Sequence, residues 1–193
     1  MATARRKGSE SSETRTRLLD VTERLMLKEG YAAVSSRRVA AAADVTPALV
    51  HYYFGTIDDL FLAVLQRRAE GMLEQQRKTL LSAENPLRAL WDAANDPTRT
   101  GFVLEFMSLA NHRKVIRAEL ARHSDRFRDM QLEVVSEYLD RRGVDIDQFP
   151  PMAIIVMINA ISQNAVLEQS IGMKVGIAET IAFIERQITA VEG

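Results

Sequence analysis

The stretch from Ser35 to Phe54, SSRRVAAAADVTPALVHYYF, constrains this chain more than any other. It reads as two short helices joined by a tight turn. The Ser35 hydroxyl can accept an orphan backbone N–H and so start the first helix. Val39, Ala40, Ala42 and Ala43 give that helix a small inner face, which lets a second helix approach closely. Asp44 interrupts the apolar run, and aspartate tolerates turn conformations. Thr46-Pro47 then restarts a helix: a capping residue, followed by proline at the first helical position, where its missing N–H costs nothing. The second helix turns Leu49, Val50 and Phe54 inward and keeps small or polar groups on its other side. Two short helices about a turn, the second opening on small and polar residues, describe a helix-turn-helix.

The flanks sharpen that reading. Upstream, TRTRLLDVTERLMLKEG, from Thr14 to Gly30, is an amphipathic helix ended by glycine, with Tyr31 next. Downstream, GTIDDLFLAVL begins another helix, with Thr56 as cap and Asp58 and Asp59 near its positive N-terminus. This order of helix, Gly-Tyr, Ser-Ser-Arg-Arg-Val-Ala, turn, Val-Thr-Pro-Ala-Leu-Val-His-Tyr-Tyr-Phe and Asp-Asp-Leu resembles the TetR family of transcriptional repressors. The motif-level resemblance covers roughly Arg15 to Leu65; beyond that it rests on length and helical pattern. Two positions depart from the family pattern. Asp44 stands where the turn normally carries glycine, and Ile57 stands where helix 4 normally opens on a phosphate-gripping lysine.

Composition excludes several classes. The 193 residues suffice for one large or two small domains with a substantial core. With 47% hydrophobic and 26% charged residues, the chain is globular rather than disordered. There is no cysteine, which removes disulfides, thiolate zinc sites and cysteine nucleophiles together. The N-terminus lacks an apolar signal core, and the longest apolar run, Met152 to Ile161, is too short for a membrane span, so a cytoplasmic protein is expected. His51, His112 and His123 do not share a helix face with a carboxylate, and there is no Gly-rich phosphate loop or nucleophile elbow. No catalytic residue, metal or cofactor is therefore expected. The net charge of −1 means that DNA affinity must come from a local basic surface.

In chain order, residues 1–13 read as a disordered basic arm carrying Arg5, Arg6 and Lys7. Residues 14–56 read as the helix-turn-helix DNA-binding domain, closed by the start of helix 4. Residues 57–193 read as the ligand-binding and dimerisation domain. Asn85-Pro86 and Asp96-Pro97 repeat the cap-then-proline signal. A seventh helix, about 114–142, is expected to break near His123-Ser124, and about nine helices in all make an all-α protein. Helix 8 is apolar on several sides from Met152 to Ile161, except at Asn159. Helix 9 repeats Ile177, Ile181, Ile184, Ile188 and Val191 at four- and three-residue steps. Two such helices call for more burial than one subunit supplies. The expectation is a homodimer built on helices 8 and 9, as the family resemblance also implies.

Arg37 and Arg38 lie in the first turn of helix 2, where a cation gains nothing from the helix dipole; one or both should face the edge of a groove. The resemblance implies that Ser36 and Arg37 contact phosphate and base. It places Thr46, Pro47, Ala48 and His51 on the leading face of helix 3, and Tyr52 and Tyr53 against backbone phosphates. It also implies an effector pocket in the C-terminal bundle. The candidates there are Trp91, Phe102, Phe106, Phe127 and Met130, a Met- and aromatic-rich set suited to irregular apolar ligands, with the polar Glu105, Asn159 and Gln163 among them. The expected protein is a homodimeric, ligand-responsive repressor on a pseudo-palindromic double-stranded operator, released by a small hydrophobic or amphipathic effector. A helical scaffold with a degenerate head is the alternative.

Overall fold

The computed structural model describes residues 2–191, with side chains from Ser12 onward. Its elements are α1 (Ala2–Glu29), a 3-10 turn (Tyr31–Ala33), α2 (Ser36–Ala42), α3 (Pro47–Phe54), α4 (Ile57–Ser82), α5 (Pro86–Ala94), α6 (Pro97–Ala110), α7 (Lys114–Arg141), α8 (Pro151–Ser170) and α9 (Ile177–Ala190). Among the described residues there is no strand, and the fold is all-helical. The stretch expected as an arm continues α1 as helical backbone from Ala2. Arg5, Arg6 and Lys7 have their side chains outside the described residues. α7 runs unbroken through His123-Ser124; from Lys114 to Arg141 there is no glycine or proline to stop it.

The chain forms two compact units: Met1–Glu70 with Phe102–Ala121, and Gly71–Gly101 with Arg122–Gly193. α4, α6 and α7 each contribute residues to both.

In the first unit, α1 buries Leu18, Leu19, Val21 and Met26. Among the described side chains of α1 the one buried polar residue is Thr22, which donates its hydroxyl to the Leu18 carbonyl at 2.7 Å. Gly30 ends the helix with φ +81°, a conformation that disfavours any residue with a Cβ. Ser35 caps α2 as expected, its Oγ accepting from Arg38 N–H at 3.3 Å. Asp44 takes φ +53° at the corner between α2 and α3, the left-handed geometry usually left to glycine. The start of α4 is a reciprocal capping box: Thr56 N–H and hydroxyl donate to Asp59 Oδ2, and Asp59 N–H donates to Thr56 Oγ1 at 3.1 Å. Leu60, Phe61, Val64 and Leu65 then enter the interior, as their spacing predicts.

In the second unit, Asn85 caps α5 by accepting from Leu87 and Arg88 N–H. A core gathers Leu80, Leu87, Leu90, Trp91, Met130, Val135, Leu139, Ile155, Ile158 and Ile188. α5 packs on α8 and α9, and α8 on α9. By length and composition alone α8 could cross a membrane, more than the sequence reading allowed. It is a core helix of this unit on one side, burying Ile155, Ile158, Ser162 and Ala165.

Candidate nucleic-acid interface

α3 is built to show one face. Val50 and Phe54, four residues apart, are buried; Thr46, Pro47, Ala48, His51 and Tyr52 are exposed. Thr46 stands at the N-cap position in extended backbone, but its side chain makes no capping bond. Pro47 has no N–H to cap, and Leu49 N–H is taken by the Thr46 carbonyl at 3.0 Å. The Thr46 hydroxyl is therefore left to the outer face, together with the Ala48 N–H at the helix start.

His51 Nδ1 lies 2.8 Å from the Gly55 carbonyl oxygen. A carbonyl only accepts, so Nδ1 carries the proton, and Nε2 is the ring atom left for an outside partner. Tyr52 is 79% exposed and stands edge-on to Tyr53 at 5.3 Å between ring centroids. Tyr53 is half-buried and tilted against Phe54. The guanidinium of Arg15 lies 5.1 Å from the Phe54 ring centroid, which adds a cation beside the C-terminal end of α3.

The two arginines of α2 separate. Arg38 pairs with Glu29 and donates from Nη1 to the Ala33 carbonyl at 3.1 Å. Arg37 is exposed and makes no ion pair among the described residues. Ser36 is half-buried beside it, and Ile57 is half-buried at the start of α4. An uncommitted cation, a free hydroxyl, small side chains and a tyrosine on one helix-turn-helix can meet phosphate oxygens and base edges.

The sequence-predicted ligand residues fall into two groups. Phe102, Glu105 and Phe106 belong to the unit that contains the head. Phe102 and Phe106 are buried against each other at 4.7 Å between centroids. The Glu105 carboxylate accepts the Tyr31 N–H at 2.7 Å and lies against Gly30, so it anchors the residues before α2. Trp91, Phe127, Met130, Asn159 and Gln163 belong to the other unit. Trp91 and Met130 are core, Phe127 packs against that core beneath the Arg99 guanidinium, and Asn159 and Gln163 are half-buried on α8. Gln76, Thr100, Gln131 and Ser162 are buried and Arg99 is half-buried, polar residues that the sequence pattern did not single out. Their signal was a polar residue on the inner register of an amphipathic helix, the same signal that marked Asn159.

These elements define a class: an all-helical chain whose N-terminal helix-turn-helix displays its second helix. Comparison with known proteins agrees. The family model for bacterial regulatory proteins of the tetR family matches residues 18–64. The transcriptional repressor KstR of Mycolicibacterium smegmatis is 34% identical over 84 residues, 43% of this chain and 41% of that one. The repressor NicS of Pseudomonas putida is 24% identical over 84 residues, 44% of this chain and 40% of its own. The matches thus span about two fifths of these curated relatives. Among solved structures, a choline-bound protein of Saccharomonospora viridis superposes with a TM-score of 0.78 at 20% identity, covering 92% of this chain and 96% of that one. A TetR transcription regulator of Haloarcula marismortui gives 0.72 at 20% identity, covering 93% and 96%. At such identities the likeness is one of fold. Over residues 18–64 the chain is thus similar to the TetR family of bacterial transcriptional regulators, and over nearly its whole length it shares their fold.

Proposed function

We propose that the protein is a homodimeric, ligand-responsive repressor of transcription, in the cytoplasm, acting on a pseudo-palindromic operator. The observation that carries this is the single outward face of α3, with Thr46, Pro47, Ala48, His51 and Tyr52 exposed together and Arg37 uncommitted. Each α3 enters a major groove, and the two heads sit about 34–36 Å apart, one turn of the duplex. Arg37 and Ser36 meet phosphate or base, while Tyr52 and Tyr53 meet the backbone with their hydroxyls. Ala48 and Pro47 offer apolar contact to thymine methyl groups. The absent lysine at Ile57 is replaced by N–H groups at the start of α4.

A small amphipathic effector in the second unit releases the operator by shifting the population of head spacings. Dimerisation uses α8 and α9. The match of residues 18–64 to the tetR-family model supports regulation rather than catalysis, since that family is not an enzyme class.

A gel-shift on the DNA flanking its own gene tests the reading. The wild-type chain should retard a discrete fragment with strong salt dependence, and an Arg37→Ala, Tyr52→Ala double variant should lose that fragment at moderate salt. Binding unchanged in the double variant would overturn the assignment of α3 and Arg37 to the interface.

A further inference from the structure

The second unit holds a layer of polar side chains that DNA binding does not use. Asn159 on α8 donates from Nδ2 to the Ile155 carbonyl at 2.9 Å and to Gln131 Oε1 at 3.2 Å. Gln131 on α7, 1% exposed, donates from Nε2 to Gln76 Oε1 on α4 at 2.9 Å. Chemistry fixes the direction of this relay. A backbone carbonyl only accepts, so the Asn159 atom facing Ile155 must be nitrogen. The Gln131 oxygen then faces Asn159, the Gln131 nitrogen faces Gln76, and the relay ends on Gln76 Nε2. That donor is buried and has no acceptor.

Two hydroxyls share the condition. Ser162, one turn beyond Asn159 on the same face of α8, is 0% exposed, and its Oγ has no partner. Thr100, buried in α6, likewise leaves Oγ1 without one. Next to Thr100, Arg99 lays its guanidinium over Phe127, 5.4 Å from the ring centroid. Phe127 lies one turn before Gln131 on α7. Among the described residues that guanidinium makes one hydrogen bond, Nη1 to the Ala93 carbonyl at 3.4 Å. Burial lowers the Arg99 pKa and the Asp96 carboxylate opposes that shift; a guanidinium stays charged regardless. Buried donors without acceptors are costly in a folded protein, and those of Gln76, Ser162 and Thr100 point to an absent partner.

We propose that this layer is the effector site and that it takes an organic carboxylate. The acid group meets Arg99 and the donors of Gln76, Ser162 and Thr100, and the apolar body lies among the aliphatic side chains of the same core. The proposal rests on the ligand-responsive reading above and adds the effector's chemical class. Gln76 and Gln131 already commit their oxygens to the relay, while the donors of Gln76, Ser162 and Thr100 are left over. A carboxylate brings about four lone pairs and the charge that complements a guanidinium. A neutral amide brings two lone pairs and no charge.

The test is titration calorimetry on the full chain, without DNA, using benzoate and octanoate against benzamide and octanamide. At least one carboxylate should bind one per chain, about tenfold or more tighter than its amide, and Arg99→Gln should shrink that preference to about twofold or less. Ser162→Ala should leave the melting temperature of the free protein unchanged or higher, because no bond is lost, yet weaken the carboxylate about three- to tenfold. If Arg99→Gln does not fold, Gln76→Leu carries the test, with about a tenfold loss expected. Equal binding of acid and amide, no binding of either acid, a preference that survives these variants, or a Ser162→Ala protein that melts lower and binds as before would each overturn the proposal. Operator release is measured separately. The expected binding pattern without release upholds the site and refutes the ligand-responsive reading. Release by a ligand indifferent to these variants does the reverse.

Discussion

Arg38 donates to the Ala33 carbonyl and pairs with Glu29, whereas Arg37, one position earlier, makes no ion pair among the described residues. Adjacent helical residues point about 100° apart, so one guanidinium can serve the fold while its neighbour serves a partner. Arg37→Ala should therefore leave the melting temperature unchanged, weaken operator binding and lower the salt slope by roughly one unit, read by gel-shift across a salt series. The sequence showed two arginines at a groove edge. It could not show which one turns back, because Glu29 and Ala33 come into reach only once the Gly30 turn is folded. Asp44 is the opposite case. Its role at the corner was legible because Asp tolerates the left-handed region better than most residues, and Asp44 adopts it with φ +53°. Asp44→Val, β-branched at φ +53°, should cost about 1–2 kcal/mol in a urea melt, while Asp44→Gly should cost nothing.

At the level of elements, the legible features were those decided within a few residues. Ser35, Asn85 and the Thr56–Asp59 box cap the helices that follow them, because capping needs only neighbouring N–H groups. Illegible were the bonds between distant segments. Glu105 reads as a polar lining residue in sequence, yet 74 positions separate it from the N–H that it accepts. The Gln76–Gln131–Asn159 relay crosses three helices in the same way. Glu105→Leu should cost about 1.5–3 kcal/mol, since it strips a charged acceptor from the Tyr31 N–H. Two glycines make a further test. Gly71 in α4 and Gly101 in α6 are helical, and a Cβ at either would meet nothing within 4 Å. Both lie where the chain passes from one compact unit to the other. Gly71→Ala and Gly101→Ala should each stabilise by about 0.5–1 kcal/mol, visible as a higher urea midpoint with unchanged slope.

For the whole molecule, the question is what covers α8. Ile155, Ile158, Ser162 and Ala165 face inward. Ala153, Val156, Met157, Ala160 and Leu167 recur at three-, four- and seven-residue steps and are exposed, Met157 by 53%. That is a second apolar stripe on one helix, and Phe183 of α9 is also 51% exposed. The burial on several sides that Met152 to Ile161 calls for is met on one side only within one chain. The two-fold partner proposed above would present the same stripe and cover the rest, since an isologous interface is self-complementary. Met157→Glu with Phe183→Glu places charges on side chains that a lone chain leaves half in water. Helicity should survive, and sedimentation should show the mass fall from dimer to monomer. Operator affinity should then drop by about a hundredfold or more, because a monomer engages one half-site and loses the effective concentration that a tethered second head provides. Single half-site binding should change little, for α3 and Arg37 are untouched. A double variant that still sediments as a dimer would move the seam away from α8 and α9. One that becomes a monomer with undiminished operator affinity would show that the two heads do not act together.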